Sequence, residues 1–319
     1  MHLVSHASRR LAAFASCLAI AGAVHAAAPM AKISAPGFYR IMVGDIEVTA
    51  ISDGTVQLPV DKLLQEPAAD TKRALAQSFL STPVDTSVTA YVVNTGAKLV
   101  MIDAGAGKLF GPTLGKVAAN LKAAGYQPEQ VDEIYITHLH PDHVGGLAPG
   151  GTPAFPNAVV RADRRDTEFW LSQANLDKAP ADNKPFFQGA MGSLQPYASA
   201  QRLRTFDGDN ELVPGVRASS SYGHTPGHTT YVVESKGQKL LLVGDLIHVG
   251  AVQFAKPGVT IAFDTDQKAA AAARRATFTQ AAKKGDMIGA SHLPFPGLGH
   301  LRSAGQGFQW VPLNYAELP

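Results

Sequence analysis

The chain has 319 residues, 45% hydrophobic and 17% charged, so it can bury a full core without disulfide or metal staples and is not intrinsically disordered. Its formal charge of +2 comes from Arg9 and Arg10, without which 26 Lys and Arg face 26 Asp and Glu. A neutral body without a Lys/Arg cluster argues against nucleic acid as the main partner, because phosphate neutralisation supplies most of that affinity.

In chain order, residues 1–26 read as a secretory signal. Arg9 and Arg10 form its charged start, residues 11–24 its apolar run, and Val24-His25-Ala26 offers small residues before a cut near Ala26/Ala27. The apolar run is short of the ~20 residues that span a bilayer, and no later stretch approaches that length. The expectation is a periplasmic or secreted protein that leaves the membrane after cleavage. The one cysteine, Cys17, falls inside the apolar run. The mature chain would have no disulfide, no thiol nucleophile and no thiolate metal ligand.

Residues 27–37 read as a loose arm and residues 38–319 as one domain. Runs rich in Val, Ile and Tyr predict strands over 39–43, 46–52, 88–94, 98–103, 133–137, 158–162, 230–234, 239–244 and 287–290. Asn94-Thr95-Gly96-Ala97 and Glu234-Ser235-Lys236-Gly237 read as hairpin turns. A helix is predicted over 112–124, with Pro112 at its first position, Leu114, Val117 and Leu121 as its apolar stripe and Gly125 beyond its end. Further helices are predicted over 166–173, 186–198 and 266–284, the last stopping at Lys283-Lys284-Gly285.

Eight of the 11 histidines follow residue 26: His138, His140, His143, His224, His228, His248, His292 and His300. They fall in short clusters near the ends of predicted strands, which is how a site is built on a sheet rim. In His138-Leu139-His140-Pro141-Asp142-His143, an extended chain points His138 and His140 the same way. Pro141 then turns the chain, so that Asp142 and His143 serve a second position. Four N and O donors in six residues suit Zn²⁺ or a similar divalent ion. Gly145-Gly146 permit the tight path that follows. Gly223-His224-Thr225-Pro226-Gly227-His228 supplies another donor, from either His224 or His228. Asp245 ends a buried run and needs a cationic partner. His292 or His300 supplies the last donor.

These motifs, in this order, resemble the five-part pattern of metallo-β-lactamase-fold hydrolases. Ile102-Asp103-Ala104-Gly105, His292-Leu293-Pro294-Phe295-Pro296-Gly297 and Trp310-Val311-Pro312 further resemble the methyl parathion hydrolase and dihydrocoumarin-type lactonase branch. The resemblance implies an α+β fold, a four-layer αββα sandwich with a binuclear metal site at one sheet edge. It implies that His138, His140 and His224 hold one ion and Asp142, His143 and His292 the other, with Asp245 between them. The ions would be two divalent cations, zinc first, with Mn, Co or Fe as alternatives. On this pattern His224 and His292 are the ligands, His228 and Asp103 support them by hydrogen bonds, and His300 is structural or at the pocket rim.

The implied chemistry is attack of a metal-bound hydroxide on a carbonyl or phosphoryl centre, with Asp142 and Asp245 as the catalytic carboxylates. Phe110, Trp170 and Phe186 match an aromatic wall around an aryl leaving group. His248, Phe263, Ile261 and Leu63 match pocket positions, where large side chains leave a slot for a flat lactone and crowd a tetrahedral phosphotriester. The expectation is therefore an exported hydrolase of small lactones and aryl esters with promiscuous organophosphate hydrolysis. The alternatives are a methyl parathion hydrolase-type phosphotriesterase and then a glyoxalase-II-like thioesterase. The resemblance also implies a homodimer.

Overall fold

The computed structural model describes residues 28–318, so the expected signal segment lies outside the described residues. They fall into two units. Residues 28–35 carry no helix or strand; the second unit begins at Pro36.

The second unit is built on two seven-stranded sheets, each with its strands in chain order. The first comprises β1 (Phe38–Val43), β2 (Ile46–Leu58), β3 (Val84–Asn94), β4 (Leu99–Ile102), β5 (Glu133–Tyr135), β6 (Val159–Asp163) and β7 (Leu203–Phe206). The second comprises β8 (Asn210–Val213), β9 (Val216–Ser220), β10 (Thr229–Ser235), β11 (Gln238–Leu242), β12 (Met287–Gly289), β13 (Leu298–Ala304) and β14 (Gly307–Pro312). Strands β4 to β7 run parallel, as do β11 and β12. The helices are α1 (Val60–Leu63), α2 (Ala68–Gln77), α3 (Val117–Ala123), α4 (Pro141–Val144), α5 (Arg164–Trp170), α6 (Gln173–Lys178), α7 (Lys184–Ser199), α8 (Gly250–Gln253) and α9 (Gln267–Lys284).

Three apolar clusters make this a four-layer αββα sandwich. Val48, Tyr91, Val93 and Ile102 of the first sheet face Ala218, Tyr231, Val233 and Leu242 of the second. The first sheet's other face, with Val92, Met101 and Ile134, packs on Leu121 of α3 and Leu194 and Tyr197 of α7. The second sheet's outer face, with Val232, Leu241 and Ile288, packs on Phe278 of α9. Strand β3 is buried along almost its whole length, with Thr86, Ser87 and Thr89 buried beside its apolar residues. Two inter-sheet tyrosines tie the core to the loops that follow it: Tyr91 Oη–H donates to Ala290 O (3.2 Å) and Tyr231 Oη–H to Ile136 O (2.7 Å).

Both predicted hairpin turns join paired strands, with Lys236 and Gly237 at positive φ in the second. The helix predicted over 266–284 forms as α9. Asp266 caps it by accepting Ala269 N–H (2.9 Å), and Gly285 ends it in the left-handed region. The helix predicted over 112–124 is shorter, starting at Val117. Gly115 sits at φ +85°, with a Cβ there placed 2.4 Å from Gly107 O, so the chain turns before it can coil and Pro112 stays in a loop. No helix among the described residues is long and apolar enough to cross a membrane.

Candidate active site

The histidine clusters follow strand ends at one rim of the sandwich. β5 leads into His138, β11 into Asp245, β12 into His292, and the β9–β10 connection carries His224 and His228. His140 is extended and Pro141 opens the single turn of α4, so Asp142 and His143 leave the line of His138 and His140 as their spacing predicts. Gly145 and Gly146 then pass so close to the 104–106 loop that a Cβ on either would stand 2.1 Å from Ala106 O or 1.9 Å from Ala104 O.

The seven predicted ligands converge on two groups sharing Asp245. His138, His140, His224 and Asp245 form one, and Asp142, His143, Asp245 and His292 the other; the ligand atoms of each lie within 4.8 Å of one another. Asp245 Oδ2 stands 3.6 Å from His138 Nε2, 3.4 Å from His224 Nε2 and 3.0 Å from His292 Nε2, and its Oδ1 stands 3.2 Å from His143 Nε2. His228 and His300 belong to neither group.

The chemistry of this donor set fits two divalent cations. Three ligand rings have their outer nitrogen occupied. His143 Nδ1–H donates to Asp103 Oδ2 (2.8 Å), His224 Nδ1–H to Asp264 Oδ1 (2.7 Å) and His292 Nδ1–H to Ser87 O (2.9 Å). That leaves Nε2 lone pairs turned inward, the arrangement of ligating imidazoles. His138 Nε2, His143 Nε2 and Asp245 Oδ1 are buried and have no hydrogen-bond partner, a costly state for polar atoms facing no cation. Burial pushes His138 and His140 well below the ordinary imidazole pKa, which keeps them neutral. Burial acts the same way on His143, but Asp245, Asp142 and Asp103 outweigh it and raise it well above that value. The negative potential that holds a proton there also favours a cation.

The supporting residues are specific. Asp103, at φ +62°, accepts both the backbone N–H and Oγ1–H of Thr137 (2.8 Å each) besides His143. His228 accepts Asp245 N–H on Nε2 (3.1 Å) and donates from Nδ1 to Ser221 Oγ (2.8 Å), so it fixes the backbone of the shared carboxylate. Two supports went unread in the sequence. Asp264 carries His224, as above. Asp166 accepts Leu139 N–H (2.9 Å) and Gly227 N–H (2.6 Å), clasping the loop of His138 and His140 to the loop of His224 and His228. His300 is on β13, where Nδ1–H donates to Gly285 O (3.1 Å). Its role is structural, and the pocket-rim expectation is corrected.

Above the ligands is a small cavity of ≈ 30 Å³. It is a slot. His140, Asp142, Asp245 and His292 form its floor, and Val56, Leu58, Phe110, Phe186, His248 and Phe263 its walls. Phe186 packs edge-on to His140 at 5.1 Å and lies 6.3 Å from Phe263. His248 stacks on His292 (4.9 Å, 18°), places Nε2 3.0 Å from Asp245 Oδ2 and leaves Nδ1 unpartnered. Three expected pocket residues do not line the slot. Trp170 is buried behind His140 (5.0 Å), and Leu63 and Ile261 pack together with Val60. Val56 and Leu58 take those places because β2 runs six residues past its predicted end.

A model of the metallo-beta-lactamase superfamily matches residues 83–292, which contain every ligand above. The chain belongs to this superfamily. Its solved relatives include the hydrolase AbOPH of the beta-lactamase superfamily, 38% identical with a TM-score of 0.85 over 89% of this chain and 100% of that one. They also include AidC, a dizinc quorum-quenching lactonase bound to its product N-hexanoyl-L-homoserine, 27% identical with a TM-score of 0.82 over 88% and 99%. An N-acyl homoserine lactonase of Bacillus thuringiensis is 30% identical over 125 residues, 39% of this chain and 42% of that protein. The chain thus matches less than half the length of that relative.

Proposed function

We propose that this protein is an exported hydrolase of small lactones and aryl esters, using two divalent cations, zinc in the native enzyme, and acting as a homodimer. The observation that carries the substrate reading is the shape of the slot above the shared carboxylate. Its walls, formed by Val56, Leu58, Phe110, Phe186, His248 and Phe263, are apolar and largely aromatic, which suits a flat ring. A phosphotriester projects substituents on several sides of a tetrahedral phosphorus and meets His248 and Phe263, so organophosphate hydrolysis is a weak side activity. The lactonases among its relatives support the carbonyl reading.

Bound cations would acidify a water molecule and polarise the scissile carbonyl. This chain's residues supply the rest. Phe110, Phe186 and Phe263 orient the ring and exclude water, which strengthens every charge interaction on the floor. Asp142 stands at the slot floor beside His143 and His292, where it would help hold a cation and orient the nucleophile's proton. An aryl oxide leaves without a general acid. The test is kcat/KM of the zinc-loaded mature protein on dihydrocoumarin and on a methyl aryl phosphotriester. The reading expects a ratio far above one. A ratio below one would leave the metal site standing and make the protein a phosphotriesterase. Secretion of the full chain with loss of residues 1–26 tests export, and light scattering tests the dimer.

A further inference from the structure

Arg274 is the largest fully buried side chain, yet it sits in the alanine-rich helix α9. Its Nε and Nη1 donate to backbone carbonyls, and Nη2 has no hydrogen-bond partner. Nε–H donates to Leu246 O, next to the shared Asp245, while Nη1–H donates to Pro257 O (3.0 Å) and Val259 O (2.8 Å). Gln253, also fully buried, makes a second link between the same two segments. Its Oε1 accepts His248 N–H (2.8 Å) and Val249 N–H (2.9 Å), and its Nε2–H donates to Val259 O (3.0 Å). A third link comes from Asp264, which accepts His224 Nδ1–H on one oxygen and Ile261 N–H on the other (3.1 Å), with Arg274 Nη2 3.9 Å away. The segment between Pro257 and Asp264 carries Ile261 and Phe263. It is therefore hung on the loops of Asp245, His248 and His224.

We propose that Arg274, with Gln253, is a positioning residue that fixes the Phe263 wall to the metal-ligand loops, so that slot width and the seating of His224 and Asp245 are set together. A carbonyl left without its donor in this dry interior has no water to turn to, so the segment would shift and both properties would change at once. The substrate part rests on the hydrolase reading; the rest does not.

The test uses Arg274→Lys, which keeps the charge but cannot reach three carbonyls, and Gln253→Leu, which removes only the second link. Exposed Arg275→Ala on the same helix is the control. In the zinc-loaded protein, amide hydrogen exchange across residues 258–264 should quicken at least ~10-fold in both variants, and zinc affinity measured against a competing chelator should fall ~10-fold or more. The lactone-to-phosphotriester ratio of kcat/KM should fall ~10-fold as the slot loosens. If Arg274→Lys does not fold, Gln253→Leu carries the same expectations. Unchanged exchange and zinc affinity with a lowered Tm would overturn the proposal and make both side chains braces of the fold alone. A wild-type protein that hydrolyses no lactone would sink the functional reading, while exchange and zinc affinity would still decide this one.

Discussion

Asp166 is buried and holds two ligand loops together through Leu139 N–H and Gly227 N–H. Burial pushes its carboxyl up from 3.8 to about 6, against the lowering effect of its hydrogen bonds. A raised carboxylate pKa makes its contribution to stability greatest below pH 3.8, where both states are neutral, and removes it as pH climbs through 6. At ~1.4 kcal/mol per unit the full loss is about 3 kcal/mol, of which about 1.4 kcal/mol falls between pH ~5 and pH ~7.5. Asp166→Asn has no such titration. It keeps one acceptor oxygen but turns an amide N–H toward the second backbone donor, at ~1–3 kcal/mol. The variant should be less stable than wild type at pH ~5, with a deficit that shrinks by about 1.4 kcal/mol by pH ~7.5. Urea unfolding of both proteins under chelation, at the two pH values, measures this directly, because titrating groups not coupled to Asp166 cancel in the difference. A deficit that is constant or grows with pH would refute the reasoning.

Other outcomes follow from the same geometry. Asp245→Ala removes the charge shared by both ligand groups and should lose zinc and turnover together; full turnover would end the two-ion reading. Paired His248→Leu and Phe263→Leu should raise phosphotriester kcat/KM by ~10-fold and lower that for the lactone, since the first exchanges a planar ring for a flexible chain and the second shortens the wall. His228→Ala frees Asp245 N–H and should weaken zinc ~10-fold, read by chelator competition. Chelation should lower Tm, and added zinc should restore it, because ligands that bind only the folded state stabilise it by mass action, about 4 kcal/mol at ~1,000 Kd.

The candidate ligands were legible because their information is local. Two histidines at spacing two, a proline and an Asp-His pair define a loop that can only project donors, and the structure assembles all seven predicted ligands. Their supports were legible only in part. Asp103 and His228 stand within the motifs, whereas Asp166, Asp264, Gln253 and Arg274 bond backbone groups on segments distant in sequence, and nothing in their neighbours marks them. Arg274 and Arg275 are adjacent on one helix, yet the first is buried and the second exposed. The sheet centres followed from apolar runs, but β7, β8, β9, β13 and β14 mix apolar with polar residues and pair on the ladder a neighbouring strand offers. The 112–124 helix failed at Gly115, whose left-handed backbone is set by contact with Gly107, 8 residues earlier.

The most direct measurement is lactone turnover by the chelated, mature protein as zinc is returned in known equivalents. Activity should be negligible without zinc, rise with bound metal and level off at two equivalents per chain, with Asp245→Ala showing no such rise. Full turnover without zinc, or saturation with no dependence on Asp245, would contradict a two-ion lactone hydrolase.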